Sequence, residues 1–456
     1  MSALDRTSPP PRGGIRDFDF PSVERRSLAS GLELRVARTP RLPVVSVSLL
    51  MRSGEGALSD RDAGLGVLTG GALEGGTRRR SGAELAEALE RIGARFASHG
   101  GWDGTSVDVY CLADRLPEAL GLLAEAVREP AFPSEEVERA RGQQLAELRQ
   151  RLMDPGSLAD DVARATYFTA GSPYARPLQG TLDSLGSVTR ADLAGFAEAN
   201  YRPGGGGLIV VGDVDPREVQ TLAEDAFGSW GGDPVAGDSL PVSTASRERR
   251  IIVVHRHGSV QSEIRVGHVG VERATPDYFP LSIANLLLGG TFTSRLNLNL
   301  RERHGFTYGV RSRFSFRRRP GPFEVSTAVG SEVTSAAVRE ILNELESLVE
   351  RGPTEDEVAA TRDFAAGVFG LQLETTAQVA LRVAQLVLYG LPDSYFHEYR
   401  DRLRAVTVDE VAEAARRRMR PEESQVVVVG DADMVAGPLE ELGLGAPEVR
   451  RGQPAE

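Results

Sequence analysis

The residues with the most chemistry open to them in this chain of 456 are six histidines and one cysteine, and their spacing excludes most of that chemistry. His99, His255, His257, His268, His304 and His397 include no pair at i and i+4, so no helix can turn two imidazoles towards one metal ion. His255 and His257 could share one face of a strand, but alternating polar residues on a half-exposed strand explain them more simply. Cys111 stands alone, which excludes an internal disulfide framework and a four-cysteine zinc site; it lies in the alternating stretch 106–111 and reads as a buried structural thiol. All 53 basic residues are arginine, because the chain has no lysine. A Walker-type phosphate lysine, a Schiff base and a pyridoxal phosphate attachment are therefore excluded. No Ser-His-Asp or Cys-His constellation is recognisable.

The elements that must position any site are organised as a duplication. Val188-Thr-Arg-Ala-Asp-Leu, Tyr201-Arg-Pro and Leu208-Ile-Val-Val-Gly-Asp recur, at one unchanging offset, as Val406-Thr-Val-Asp-Glu-Val, Met419-Arg-Pro and Val426-Val-Val-Val-Gly-Asp. Each copy predicts a helix capped by Thr189 or Thr407, an Arg-Pro break and a buried β-branched strand ending in a Gly-Asp turn. Residues 233–247 are rich in Gly, Pro and Ser and suit a linker. They leave domains at 20–232 and 248–446, a Pro/Arg/Gly-rich head at 1–19 and a polar tail at 447–456. In the first domain, 32–37 and 44–51 read as strands. Residues 81–92 and 116–127 read as helices, and a further helix opens at Ser134 and stops at Asp154-Pro155. Strands and helices mix without regular βαβ alternation, which predicts an α+β fold.

Composition sets wider limits. With 41% hydrophobic and 26% charged residues the chain is ordinary globular material, long for a single core. Its net charge of −12 argues against a general nucleic-acid binder. The N-terminal residues lack the apolar core of a secretory signal and no run of eighteen apolar residues occurs. A soluble, cytoplasmic protein with no membrane segment is expected, with a periplasmic location left open.

Gly64–Thr77 (GLGVLTGGALEGGT) resembles, without a gap, the segment of pitrilysin/insulinase peptidases that carries the zinc-binding HxxEH motif. Leu89–Gly93, Pro130–Phe132, Ser172–Tyr174, Gly180-Thr181 and Asn200–Pro203 follow in the family's order. In the second domain Leu288–Gly290, Ser294–Leu296 and Leu300–Tyr308 (LRERHGFTY) are similar to its Gly-Gly, Ser-Arg-Leu and Leu-Arg-Glu signatures. The resemblance implies two tandem homologous domains, each an antiparallel-rich sheet covered by helices, together forming half of a clam-shell chamber.

It also implies a deficit. The positions of the two histidines and the catalytic glutamate are Val67, Gly71 and Gly70, none of which can bind a metal or move a proton. Glu147 falls where the family's third ligand is expected; alone it cannot hold zinc, and a solvated surface glutamate is the simpler reading. No cofactor is expected in this chain. Arg301 and Tyr308 match the pair that, in relatives, reaches across the chamber to the substrate carbonyl. A fixed guanidinium fork and a phenolic donor suit that task, and a surface arginine with a packed tyrosine is the bland alternative. Gly289 and Gly290 could present backbone N–H groups to a peptide or simply end a helix.

The expectation is a metal-free, substrate-binding subunit that lends Arg301 and Tyr308 to zinc held by an HxxEH-bearing homologous partner in a heterodimer, with peptide bound as an added strand. The alternative is an inactive peptide-binding or scaffold protein of the same fold. An autonomous hydrolase comes third.

Overall fold

A computed structural model describes residues 18–232 and 240–451. Residues 1–17 of the head assigned to 1–19, 233–239 of the linker assigned to 233–247 and 452–456 of the tail therefore lie outside the described residues. The strands form two six-stranded sheets. The first holds β1 (Val23–Ser27), β2 (Glu33–Arg38), β3 (Val44–Met51), β4 (Arg95–Gly100), β5 (Thr105–Leu112) and β6 (Gly207–Gly212), in the order β1-β2-β6-β3-β5-β4. The second holds β7 (Ile251–His255), β8 (Gln261–Val269), β9 (Val310–Phe314), β10 (Pro322–Gly330), β11 (Gln425–Gly430) and β12 (Glu448–Arg450), in the order β12-β7-β11-β8-β10-β9. Five strands correspond one to one, including a parallel pair in each sheet, β2 with β6 and β7 with β11. The remaining pairs of the shared core are antiparallel.

The repeat read from the sequence is the structural repeat. Helices Arg190–Asn200 and Val408–Arg418 each begin with a capping box, Thr189 with Asp192 and Thr407 with Glu410. Each is followed by the Arg-Pro break and then by a fully buried strand, β6 or β11. The break at Asp154-Pro155 ends one helix, Ser134–Met153, and starts another, Pro155–Tyr167, because Asp154 caps the new helix by accepting from Ser157 N–H at 2.8 Å. The stretch assigned to a polar tail supplies β12, parallel to β7, so the fold runs further than the composition suggests.

Neither half closes its own sheet. One face of the first sheet, including Leu34, Val47, Val107 and Val210, packs on helices of its own half. Its other face, with Ala37, Leu50, Ile209 and Val211, is covered by Val379, Val383, Leu386 and Val387 from helix Thr376–Tyr389 of the second half. The second sheet is covered reciprocally: Ile252, Val427 and Val269 pack against Ala163 and Tyr167 of helix Pro155–Tyr167. Burial on both faces is why β6 and β11 read as unbroken apolar runs.

Candidate functional site

The helix that would carry the metal ligands, Leu65–Gly71, is present and anchored from below. Glu55 is fully buried and accepts from the N–H groups of Gly64 (2.9 Å), Gly66 (2.8 Å) and Val67 (3.1 Å), with the Arg176 guanidinium at 3.3 Å. Burial pushes the Glu55 carboxyl above the usual range, against the opposing pull of those donors. Sequence reasoning missed this residue, since a lone glutamate in a Gly-rich turn carries no signal of burial. The helix fails as a metal site for want of ligand atoms. Val67, Gly70 and Gly71 offer none, the Ser98 hydroxyl of β4 donates to the Gly70 carbonyl, and Glu147 is exposed and accepts from Gln179 at 3.2 Å. The residues present do not fit a zinc ion.

His255, His257 and Asp433 do come together, with ligand atoms within 4.8 Å of one another. Two of the three already have partners: His255 Nδ1 accepts from Ala432 N–H at 3.2 Å and Asp433 is paired with Arg451. Cys111 is buried in β5, and burial pushes its thiol up to about 11.

The residues singled out in the second domain converge. Gly289, Gly290, Arg301 and Tyr308 all line a cleft of about 880 Å³ beside β9, the edge strand of the second sheet. Two wide π-type turns frame it, Leu286–Gly290 and Asn297–Arg303; such turns insert a residue into the helical spacing and re-aim the side chains around it. Gly289 is buried where a Cβ would fall 2.6 Å from Ser312 N, so its absence of a side chain lets β9 pass; Gly290 is exposed on the cleft wall.

Arg301 stands over the Phe292 ring at 4.2 Å, with Glu302 at 3.4 Å. Tyr308 is 97% exposed, yet the backbone beneath it is fixed. Gly305, at φ +66°, ends the preceding turn, Thr307 Oγ1 accepts from Gly309 N–H at 3.1 Å, and the Thr327 hydroxyl reaches the Gly309 carbonyl at 3.0 Å. A second residue missed by sequence reasoning, Asn297, ties the cleft together. Its amide donates to the carbonyls of Thr291 (3.1 Å) and Val310 (2.9 Å), and its oxygen accepts from Val310 N–H (3.1 Å). Arg295 is structural, gripping Glu357 through two 2.7 Å bonds that hold this carboxyl down to about 2.

The cleft floor is ionic. The Arg265 guanidinium bonds Asp160 at 2.6 Å and Glu263 at 2.9 Å, and Tyr167 donates to Glu324 at 3.1 Å. Burial pushes the Glu324 carboxyl up, with Asp160 adding to the effect and Arg265 and Arg164 opposing it. Asp160, Arg164 and Tyr167 come from the helix donated by the first half, so both halves build this site.

Two duplicated α+β domains, one with a stripped metal helix and the other with an Arg/Tyr cleft, define the class of a two-domain peptidase-like chain. Comparison with known proteins agrees. The model of insulinase (peptidase family M16) matches residues 36–181 and that of the peptidase M16 inactive domain matches residues 187–364. The chain belongs to the M16 peptidase family. It is 28% identical over 396 residues to an uncharacterized zinc protease of Mycobacterium tuberculosis, covering 86% of this chain and 90% of that one. It is 26% identical over 287 residues to mitochondrial-processing peptidase subunit beta of Lentinula edodes, covering 60% and 61%. The crystal structure of a peptidase M16 inactive domain from Pseudomonas fluorescens superposes with a TM-score of 0.84 at 25% identity, covering 90% of this chain and 98% of that one. Among the described residues no helix is long and apolar enough to cross a membrane.

Proposed function

We propose that this chain is the metal-free subunit of a two-chain zinc peptidase, in which an HxxEH-bearing homologue holds the zinc and this chain binds the peptide and supplies Arg301 and Tyr308. The observation that carries the reading is a contrast. The metal helix is kept with no ligand atom on it, while Arg301 and Tyr308 sit together on one cleft, with Tyr308 turned almost wholly outwards where it serves no core of its own.

Zinc on the partner would activate water. This chain's part is to hold and polarise the peptide. The guanidinium, already charged and stacked on Phe292, orients the scissile carbonyl, and the Tyr308 hydroxyl donates to the oxygen as negative charge develops there. Neither group exchanges a proton with solvent in doing so. Metal and base would thus lie on one chain and carbonyl recognition on the other.

The test is reconstitution. The isolated chain is expected to bind no stoichiometric zinc and cleave no peptide, and cleavage is expected on mixing with an HxxEH-bearing homologue. Tight zinc binding with hydrolysis by the isolated chain would overturn the reading. A second reading, a scaffold without a part in hydrolysis, draws on the match to the inactive-domain model. It predicts that the pair assembles and that replacing Arg301 leaves turnover unchanged.

A further inference from the structure

The charge around the cleft runs against the charge of the chain. Six arginines line it, Arg164, Arg265, Arg301, Arg311, Arg313 and Arg317, against two carboxylates, Asp160 and Glu324, in a protein whose net charge is −12. Both carboxylates are already engaged, Asp160 by Arg265 and Glu324 by the Tyr167 hydroxyl. Four of the six cations fall into two groups. Arg164 and Arg265 are tied to carboxylates of the donated helix. Arg311 and Arg313 are exposed, and their side chains make no hydrogen bond or ion pair among the described residues.

Their placement is regular. Val310, Ser312 and Phe314 are buried and Arg311 and Arg313 face outwards, so the two guanidinium stems leave the same side of an edge strand about 7 Å apart, the two-residue repeat of extended chain. A peptide laid along β9 in extended form repeats at the same distance. Along the cleft wall, Arg317 packs over the rings of Trp102 (4.6 Å) and Tyr174 (4.4 Å), which themselves meet edge to face. Its Nη1 is buried and meets no hydrogen-bond partner among the described residues. Asn285 Oδ1, also on the cleft wall, is buried and unpartnered in the same way. Buried polar atoms are seldom left so, and an unpartnered donor and an unpartnered acceptor on one cleft suit a peptide main chain.

We propose that the cleft selects extended peptides bearing acidic side chains at alternate positions, read by Arg311 and Arg313, with Arg317 anchoring a main-chain carbonyl on the cleft wall. This deepens the reading of the cleft as a peptide site and rests on it. An acidic substrate also suits a site whose two lining carboxylates are already engaged, since an incoming carboxylate meets the guanidinium groups of Arg311 and Arg313, unpaired among the described residues.

Fluorescence anisotropy on the isolated full chain tests it, using dye-labelled decapeptides. One alternates Glu with Thr, one has Gln for every Glu, and one carries the same number of Glu residues in adjacent pairs. An oligothymidylate of matching charge completes the set. The alternating Glu peptide is expected to bind at least about 10-fold tighter than the Gln peptide, to outrank the paired-Glu peptide, and to weaken with salt. The Arg311→Gln/Arg313→Gln variant should lose that preference, while the equally discharged Arg41→Gln/Arg91→Gln variant keeps it. Arg311→Glu/Arg313→Glu should turn the preference towards an alternating Arg peptide, an outcome that a misfolded chain cannot mimic. Equal binding of Glu and Gln peptides, tighter binding of the oligothymidylate, or a preference that survives loss of both arginines would each overturn the proposal. Selective binding without turnover beside any HxxEH homologue would remove the two-chain reading and leave this one standing. Turnover by the pair with no regard to acidic residues would do the reverse.

Discussion

A side chain that is almost wholly in solvent contributes little to stability, so the effects of changing Tyr308 should be confined to function. Tyr308→Phe removes only the hydroxyl and is expected to shift the unfolding free energy by less than about 0.5 kcal/mol. In a reconstituted pair, Tyr308→Phe and Arg301→Ala are each expected to lower kcat by roughly 10²-fold, the scale of losing one oxyanion donor, without weakening assembly. Steady-state kinetics beside a sizing experiment checks both, and unchanged turnover would return the two residues to the surface. At this scale the sequence was legible where a motif carried the residue. Arg301, Tyr308 and the empty positions Val67, Gly70 and Gly71 could be placed by matching alone. Asn297 and Glu55 could not, because their importance lies in which distant N–H and C=O groups they meet. The pair Arg311 and Arg313 does carry a signal in the sequence, the strict alternation of Val310-Arg-Ser-Arg-Phe314.

Strand β8 shows how closely the borrowed helix is fitted. A Cβ on Gly267 would lie 2.3 Å from the Phe323 carbonyl oxygen and 2.8 Å from the Tyr167 hydroxyl, and the first of these is backbone that cannot turn aside. Gly267→Ala is therefore expected to cost about 2–3 kcal/mol, read as a lower urea midpoint. Its neighbour His268 is buried. Its Nδ1–H donates to the Val269 carbonyl at 2.9 Å, and Nε2 accepts from the N–H of Arg420 at the Arg-Pro break, at 3.1 Å. Burial, aided by the Arg420 charge, pushes this imidazole down from 6.5 to about 4. The unfolded chain takes the proton first, so the stability tied to neutral His268 is whole above pH 6.5 and is lost as the pH falls towards 4. Near pH 4.5 the loss is on the order of 2–3 kcal/mol. Urea unfolding at pH 7 and pH 4.5 should show a drop in stability that is larger in the wild-type protein than in His268→Gln by this amount, the other titrating groups being common to both. The repeated units, helix Arg190–Asn200 with β6 and helix Val408–Arg418 with β11, were legible from caps and periodicity, whereas β8 was not. Nor was helix Pro155–Tyr167, which lies beyond the stop expected at Asp154-Pro155, nor the sheet it covers, since an apolar stripe reads the same whichever sheet it meets.

Across the whole molecule, duplication has produced two sheets of one design whose outer faces are closed by each other's helices. A fully buried Val or Leu side chain contributes about 1.5–3 kcal/mol, so Val379, Val383, Leu386 and Val387 together supply on the order of 6–12 kcal/mol, as much as the net stability of a domain. Residues 20–232 made alone are therefore expected to bind hydrophobic dyes and to lack a cooperative melt, and joint expression with 240–451 should restore one. A sharp, dye-free melt of the first fragment would show that the exchanged helix is dispensable. Linear order gave the two repeats but not this crossing, because nothing in a tandem repeat announces which copy will pack on which.

The same exchange sets a clock during synthesis. The first sheet gains its last strand at Gly212, yet the helix that covers Ile209 and Val211 does not begin until Thr376. At ~5–20 residues per second the ribosome needs roughly 8–30 s to make the intervening chain, far longer than a small sheet needs to form. For that interval each nascent molecule carries apolar strands whose cover has not yet been made, and neighbouring chains on one message carry the same residues. Slower elongation between residues 212 and 376 is therefore expected to lower the soluble yield, measured by expressing a message recoded with rare codons over that stretch.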